Sequence, residues 1–431
     1  MSVAPYLRFL IGIFLGCAFI TNAGANNGTG PSLLFDARTG EVFNQDRAGE
    51  PWYPASLTKL MTAYVIFKKI KAGQLRLDQE VPISKLAFSQ PPSKLGLPVG
   101  KSVTVDFALQ AMLVYSANDM AYVLAEGASG SVAAFANDMN NIARDLGLNA
   151  SHFVNPNGLP DPRQITSARD IGIIAALLIN EFPEYAHYFK QEFVMVGKRK
   201  FPNHNRLIRT MPEAVGMKTG FICSSGYNLV GSAIKDGRQL VSVVLGARNG
   251  GQRAAISKKM LESAFTRLPD PSQGKVAEIV DQSYGAIVPA DMGAAVCKGR
   301  PPTSLVNTHD IAGWAISFGT YDTLVKADMA LRGRLLAPAG IDAMGKHGVV
   351  KMPGGAGFAA MFWGIDQATS LSMCSLYRID GATCDVLPAE LVTQIALSAP
   401  QEVTIPEATT DEGSDFERPP PPPKRKKHKS K

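Results

Sequence analysis

The pattern that most restricts the fold lies at residues 227–246, where two apolar strand-like runs, Tyr227 to Ile234 and Arg238 to Gly246, flank Lys235-Asp236-Gly237. Asp-Gly tolerates the positive φ angles of a tight turn, so this stretch predicts an antiparallel hairpin. Far upstream, Leu33-Leu34-Phe35 and Glu41-Val42-Phe43 bracket the turn residues Arg38-Thr39-Gly40 and predict a second strand pair. Helical patterns begin near Ser56 and fill the stretch between. Strands at both ends with helices between them predict one antiparallel sheet, closed by the two termini of a mixed α/β (α+β) unit over residues 26–268.

Ahead of this unit, Tyr6 to Ile20 is almost wholly apolar apart from Arg8, and Ala23-Gly24-Ala25 follows it. This predicts a secretory leader over residues 1–25 and a periplasmic location. The alternative, an uncleaved anchor, meets the difficulty that the run is shorter than the ~20 residues a bilayer span requires. Beyond Leu268, Pro269, Pro271, Gly274 and Pro301-Pro302 mark residues 269–309 as a connector without sustained periodicity. Residues 310–390 then read as a small βαββαβ unit of ferredoxin/RNP-like topology. Residues 391–431 carry an acidic block, five prolines and a basic end, and are expected to be disordered.

The formal charge of +7 is concentrated in Lys424, Arg425, Lys426, Lys427, Lys429 and Lys431, which leaves +1 for the rest of the chain. The high isoelectric point therefore gives no reason to expect a nucleic-acid partner. Five cysteines and six scattered histidines show no metal-ligand spacing, so neither a metal nor another cofactor is expected.

Ser56-Leu57-Thr58-Lys59 opens the first long helix, and a separation of three places the Ser56 hydroxyl and the Lys59 amine one turn apart on one face. A hydroxyl becomes a competent nucleophile when a base takes its proton. Lys59 serves as that base only when neutral, which requires desolvation or a neighbouring cation. Alone, the motif is common, and an N-cap serine followed by a solvated surface lysine is the better explanation of it. Two more triplets change the weighting: Ser116-Ala117-Asn118 after an apolar run, and Lys218-Thr219-Gly220 before the strand-like Phe221-Ile222-Cys223. Ser-x-x-Lys, Ser-Asp-Asn and Lys-Thr-Gly in that order form the signature of penicillin-binding proteins and class A β-lactamases. Here Ala117 replaces the aspartate.

Over residues 29 to 268 the chain resembles the serine D-alanyl-D-alanine carboxypeptidases, the low-molecular-mass penicillin-binding proteins. Asn155-Pro156-Asn157-Gly158-Leu159, Thr166-Ser167-Ala168-Arg169-Asp170 and Asn203-His204-Asn205-Arg206-Leu207 add to the likeness. The resemblance implies the penicillin-binding/β-lactamase-like transpeptidase fold, an antiparallel sheet flanked by helices. It implies catalytic roles for Ser56 (nucleophile), Lys59 (proton acceptor), Ser116 (proton shuttle) and Asn118 (acyl-chain contact). Lys218, Thr219, Gly220 and Phe221 would bind substrate, the peptidoglycan stem pentapeptide, with β-lactam antibiotics as inhibitors. A β-lactamase, or a wall-binding protein without activity, is the competing reading. The absence of an obvious Glu-x-x-x-Asn deacylation loop between Ser116 and Lys218 counts against the first, and the intact triplets count against the second. Cys223, three residues past Gly220, is read as a small buried strand residue in preference to a reactive thiol.

The 310–390 unit carries six Lys/Arg against eight Asp/Glu, and its third strand, Phe358 to Trp363, lacks the basic and aromatic pattern of an RNA-binding RRM. Gly313-Trp314-Ala315-Ile316-Ser317-Phe318-Gly319 and the two helix-strand returns resemble a divergent SPOR domain. That likeness implies binding of peptidoglycan glycan strands through 310–390, often at the division septum. Ala382, Cys384 and Val386 share one strand face, and Cys374 lies on the apolar side of the preceding helix, so packing the helix on the sheet predicts a Cys374–Cys384 disulfide.

Overall fold

The computed structural model describes residues 30–283, 289–297, 305–306, 311–335, 345–379 and 383–398. The leader at 1–25, most of the tail, Pro301-Pro302 and Ala382 lie outside the described residues.

The main sheet has five strands: β1 (Ser32–Asp36), β2 (Val42–Asp46), β3 (Ala214–Ile222), β4 (Gly226–Lys235) and β5 (Arg238–Ala247). Their order is β2-β1-β5-β4-β3, antiparallel throughout, so the first strand pairs with the last and the block is closed by its own ends. Asp236 (φ +50°) and Gly237 (φ +75°) make the β4–β5 turn that the Asp-Gly pair predicts.

Strand alternation divides the core between the two sheet faces. Leu33, Phe35, Val241 and Val243 meet the helices α1 (Thr58–Lys71) and α4 (Ala168–Glu181), together with α2 (Val105–Val114) and α3 (Asn118–Ser129) packed around α1. Leu34, Leu240 and Ala233 meet Leu261 and Ala264 of α5 (Gly250–Phe265) on the other face. In α1 every residue from Thr58 to Phe67 is buried, so this helix passes through the interior instead of lying along the surface. Its last turn holds Lys68, Lys69 and Lys71, where positive charge complements the helix dipole. Ser167 caps α4 by accepting from the Asp170 amide at 3.0 Å.

The connector is more structured than its composition suggests. Lys275 bridges to Glu41, and the Asp281 carboxylate accepts from Ser167 Oγ (2.9 Å) and Arg169 Nη1 (2.6 Å). The reading of Cys223 as a small buried strand residue is corrected: it is only half-buried. It opens a one-turn 3₁₀ helix just past β3 and is disulfide-bonded to Cys297, with Cα atoms 5.8 Å apart. The Met292 amide donates to Ser224 O alongside, which brings the returning connector within bridging range.

The C-terminal module holds β6 (Trp314–Tyr321), α6 (Leu324–Leu335), β7 (Lys346–Lys351), β8 (Phe358–Ile365), α7 (Gln367–Ile379) and β9 (Asp385–Leu387). Its sheet order is β7-β8-β6-β9. Ile316, Phe318, Val349 and Phe362 face Ala327 and Leu331 of α6 and Met373 of α7. Cys374 and Cys384 are joined, Cα atoms 5.3 Å apart, fastening α7 to the segment entering β9. One further helix, α8 (Ala389–Ser398), corrects the expectation of disorder from residue 391. Its Val392 and Ile395 are buried against Ala315, Met361 and Trp363 on the opposite sheet face. The i, i+3 spacing of those two residues is legible once separated from the charged and proline-rich residues that dominate the rest of the tail.

Candidate active site

Ser56 sits in a single 3₁₀ turn, Ala55–Leu57, that runs directly into α1. Asn228 of β4, fully buried, fixes this turn to the sheet by donating from Nδ2 to Tyr53 O (3.0 Å) and Pro54 O (3.3 Å). Gly220 of β3, the cross-strand partner of Asn228, lies against the same turn. A β-carbon at Gly220 would stand 2.8 Å from Pro54 O and 3.1 Å from the Ser56 amide nitrogen, so only a glycine lets the strand run this close to the serine.

Lys59 is wholly buried, and its Nζ lies 2.9 Å from Ser56 Oγ, 2.8 Å from Asn118 Oδ1 and 2.9 Å from Asn157 O. The last two partners are acceptors only. A neutral amine spends its two N–H bonds on them and turns its lone pair toward the serine hydroxyl. Burial holds the Lys59 pKa well below the ordinary lysine range; the Lys218 cation lowers it further, and Asp119 offsets part of the effect. Asn118, at the start of α3, is held in turn by its Nδ2 donating to Pro91 O at 2.9 Å.

Ser116 occupies the left-handed region at φ +66°, and its Oγ accepts from Lys218 Nζ at 2.8 Å. Lys218 also donates to Thr219 O at 3.0 Å, and burial, followed by the nearby Arg253, brings its pKa down to about 7. Thr219 is buried, whereas Phe221 is exposed at the rim, its ring 4.2 Å from that of Tyr227. Ser56, Ser116, Asn118, Thr219, Gly220 and Phe221 thus line one cleft of about 730 Å³, with Lys59 and Lys218 buried behind its wall. Cys374 and Cys384 lie in the other module, away from this cleft.

Three contributors escaped the sequence reading. Asn157 acts through a backbone carbonyl, which has no side-chain signature. Asn228 is a lone asparagine in an apolar strand. Arg253 of α5 donates to Gly220 O (3.1 Å) and Asn228 O (3.3 Å), placing a half-buried cation beside the Lys-Thr-Gly strand, with no motif around it to mark it. His204 also lines the cleft, exposed at its rim with its ring 5.2 Å from that of Tyr115.

Comparison with known proteins agrees with this geometry. The family model described as Peptidase S11, D-alanyl-D-alanine carboxypeptidase, matches residues 22–249. The D-alanyl-D-alanine carboxypeptidase DacC of Escherichia coli K12 is 36% identical over 241 residues, 54% of this chain and 60% of that protein. DacA of Haemophilus influenzae is 36% identical over 238 residues, 54% of this chain and 61% of that protein. The chain therefore spans about 60% of the length of these relatives. The crystal structure of penicillin binding protein 5 from Haemophilus influenzae superposes with a TM-score of 0.54 at 35% identity, covering 56% of this chain and 71% of that one. Penicillin-binding protein D2 of Listeria monocytogenes in its ampicillin-bound form gives 0.51 at 28% identity, covering 55% of this chain and 97% of that one. With its serine, two lysines and asparagine gathered on one cleft and the family model matched across the whole five-stranded unit, the chain belongs to the D-alanyl-D-alanine carboxypeptidase family of serine peptidases.

Proposed function

We propose that this protein is a serine D-alanyl-D-alanine carboxypeptidase that trims the terminal D-alanine from peptidoglycan stem peptides. The observation that carries this reading is the environment of Lys59: a buried amine with two acceptor-only partners and its third direction on Ser56 Oγ at 2.9 Å. In the reaction, Ser56 Oγ attacks the carbonyl of the penultimate D-alanine while its proton passes to Lys59. The C–N bond breaks, and a proton returns through Ser116 to the departing amine. Water then hydrolyses the Ser56 ester. Thr219 and the Lys218 charge face the terminal carboxylate. The developing oxyanion lies between the Ser56 and Phe221 amides, an arrangement worth ~3 kcal/mol per donor.

Penicillin acylates the same serine in this scheme, consistent with the ampicillin-bound state of the Listeria relative. Export to the periplasm and glycan binding by the C-terminal module complete the proposal. Support for export comes from the leader-like residues 1–25 and from two disulfides, which persist in oxidising compartments. The test is covalent labelling by fluorescent penicillin together with D-alanine release from a pentapeptide. Both activities are expected in the parent and neither in Ser56→Ala; labelling that survives the substitution refutes the assignment. Retention on amidase-treated sacculi tests the glycan reading of the module.

A further inference from the structure

Helix α6 of the C-terminal module packs against segments that flank the catalytic cleft. Met329, 2% exposed, is buried against Tyr53 and Ile165, with Val325 and Ile222 packed beside it. Tyr53 precedes Ser56 by three residues and Ile222 follows Gly220 by two, so this contact reaches both chain segments that form the nucleophile's surroundings. One turn further along α6, Gly333 meets the loop that follows Asn157: a β-carbon there would overlap the Pro160 carbonyl oxygen. A glycine within a helix costs about 1 kcal/mol relative to alanine, and here the missing side chain is what permits backbone contact. Arg334 then donates from Nη2 to Asp161 Oδ2 at 3.3 Å. Asp161, 2% exposed, also accepts from the Arg163 amide, Nε and Nη2, so it is anchored from both modules.

Pro160 and Asp161 are closely coupled to Asn157. Asn155 Oδ1 accepts from the Gly158 amide (2.7 Å), Asn157 Oδ1 from the Leu159 amide (3.0 Å), and Asn155 Nδ2 donates to Leu159 O (3.2 Å). A loop braced this way moves as a unit, and Asn157 O at its near end is the acceptor for Lys59 Nζ. We infer that α6 sets the position of the catalytic lysine: Gly333 and Arg334 press the 155–163 loop onto Lys59 while Met329 packs on Tyr53 and Ile165 beside it, and so all three act as positioning residues for acylation of Ser56 without touching substrate. The inference rests on the acyl-enzyme reading above. It also makes the C-terminal module a fixed part of the catalytic unit, where a flexible tether would leave Lys59 unaffected.

Lifting α6 frees the loop, withdraws Asn157 O and admits water to Lys59. The other groups facing that amine are Ser56 from the preceding turn, Asn118 and Asp119 from α3, and Lys218 from β3. None is altered by a substitution in α6. Hydration returns the Lys59 pKa toward the ordinary lysine range, and because the base works only when neutral, the acid limb of the acylation rate moves to higher pH.

The experiment uses the full chain and its Gly333→Leu, Arg334→Ala and Met329→Ala variants, measuring the second-order rate of labelling by fluorescent penicillin from pH 5 to 9 and the thermal melt of each. Gly333→Leu is expected to slow acylation by about 10–100-fold, the range a 1 Å misplacement produces, and to shift the acid limb upward, with smaller changes of the same sign in the other two. A variant that merely loses stability lowers the melt and leaves the limb in place. If Gly333→Leu does not fold, the other two variants decide. An unchanged rate and limb in the folded variants, with the parent labelled, overturns this inference alone. A parent that is not labelled at all overturns the acyl-enzyme reading and this inference with it.

Discussion

Ser116 lets backbone strain and catalysis be separated at one position. Its φ of +66° places a residue with a side chain in the left-handed region, at a cost of about 1–2 kcal/mol. Its Oγ is also the 2.8 Å acceptor for Lys218 Nζ, a lysine only 2% exposed. Ser116→Ala keeps the β-carbon, hence the strain, and removes the acceptor, for a loss of about 1.5–3 kcal/mol when the partner is charged. Ser116→Gly removes the same acceptor and also relieves the strain. Glycine's extra freedom in the unfolded chain returns about 0.5–1 kcal/mol of that relief, so the glycine variant should be more stable than the alanine variant by about 1 kcal/mol. Catalysis does not distinguish them, since neither has a hydroxyl to carry the proton. Acylation by penicillin and D-alanine release should fall by about 10²-fold or more in both. Urea unfolding of the parent and both variants, paired with labelling rates at fixed pH, supplies the comparison. A glycine variant no more stable than the alanine variant refutes the strain argument, and acylation at the parent's rate in either removes Ser116 from the proton path.

Gly220→Ala should slow acylation by about 10–100-fold, because the added β-carbon meets Pro54 O and displaces the Ser56 turn; a parental rate would show that the turn can yield without consequence. The paired substitution Cys223→Ser, Cys297→Ser opens a loop with a sequence separation of 74, for which chain entropy gives a loss of about 4 kcal/mol. Denaturant unfolding under non-reducing conditions that shows no loss would place the bridge outside the cooperative unit. Asp170, buried beside Asp281, has its pKa raised from the usual carboxylate range to about 8, by burial first and by the Asp281 carboxyl second. A carboxyl whose folded pKa exceeds its unfolded value confers stability that is complete below about pH 4 and is lost as pH rises through about 8. Asp281→Asn should flatten that decline, seen as a smaller drop in melting temperature between pH 5 and 8; an unchanged slope would assign the pH dependence to other groups.

The parts of the site legible in the sequence are those whose chemistry resides in side chains at fixed local spacing. Ser56 and Lys59 share a helix face, Ser116 and Asn118 share a turn, and Lys218 to Gly220 share a strand. The sheet was legible for a related reason: alternation and the Asp-Gly turn are local signals, and strand pairs at both ends of the block leave few ways to pair. Asn157 was not legible in its role because a carbonyl oxygen is common to every residue, and only the fold aims this one at Lys59. The Cys223–Cys297 pair depends on where the connector returns, which is a tertiary event. Gly333 shows the same limit, since inside α6 it reads as a propensity defect until Pro160 is seen against it.

Helix α8 gives the C-terminal module a self-occupied surface. A βαββαβ sheet with both of its helices on one side leaves the other side open for recognition, and here Val392 and Ile395 fill that side against Met361 and Trp363. Any ligand that reads this sheet face competes with a segment of the same chain. Its apparent affinity is then the intrinsic affinity scaled by the fraction of molecules in which the helix has left. For such a ligand, substitutions that loosen α8 would raise the apparent affinity without contacting the ligand.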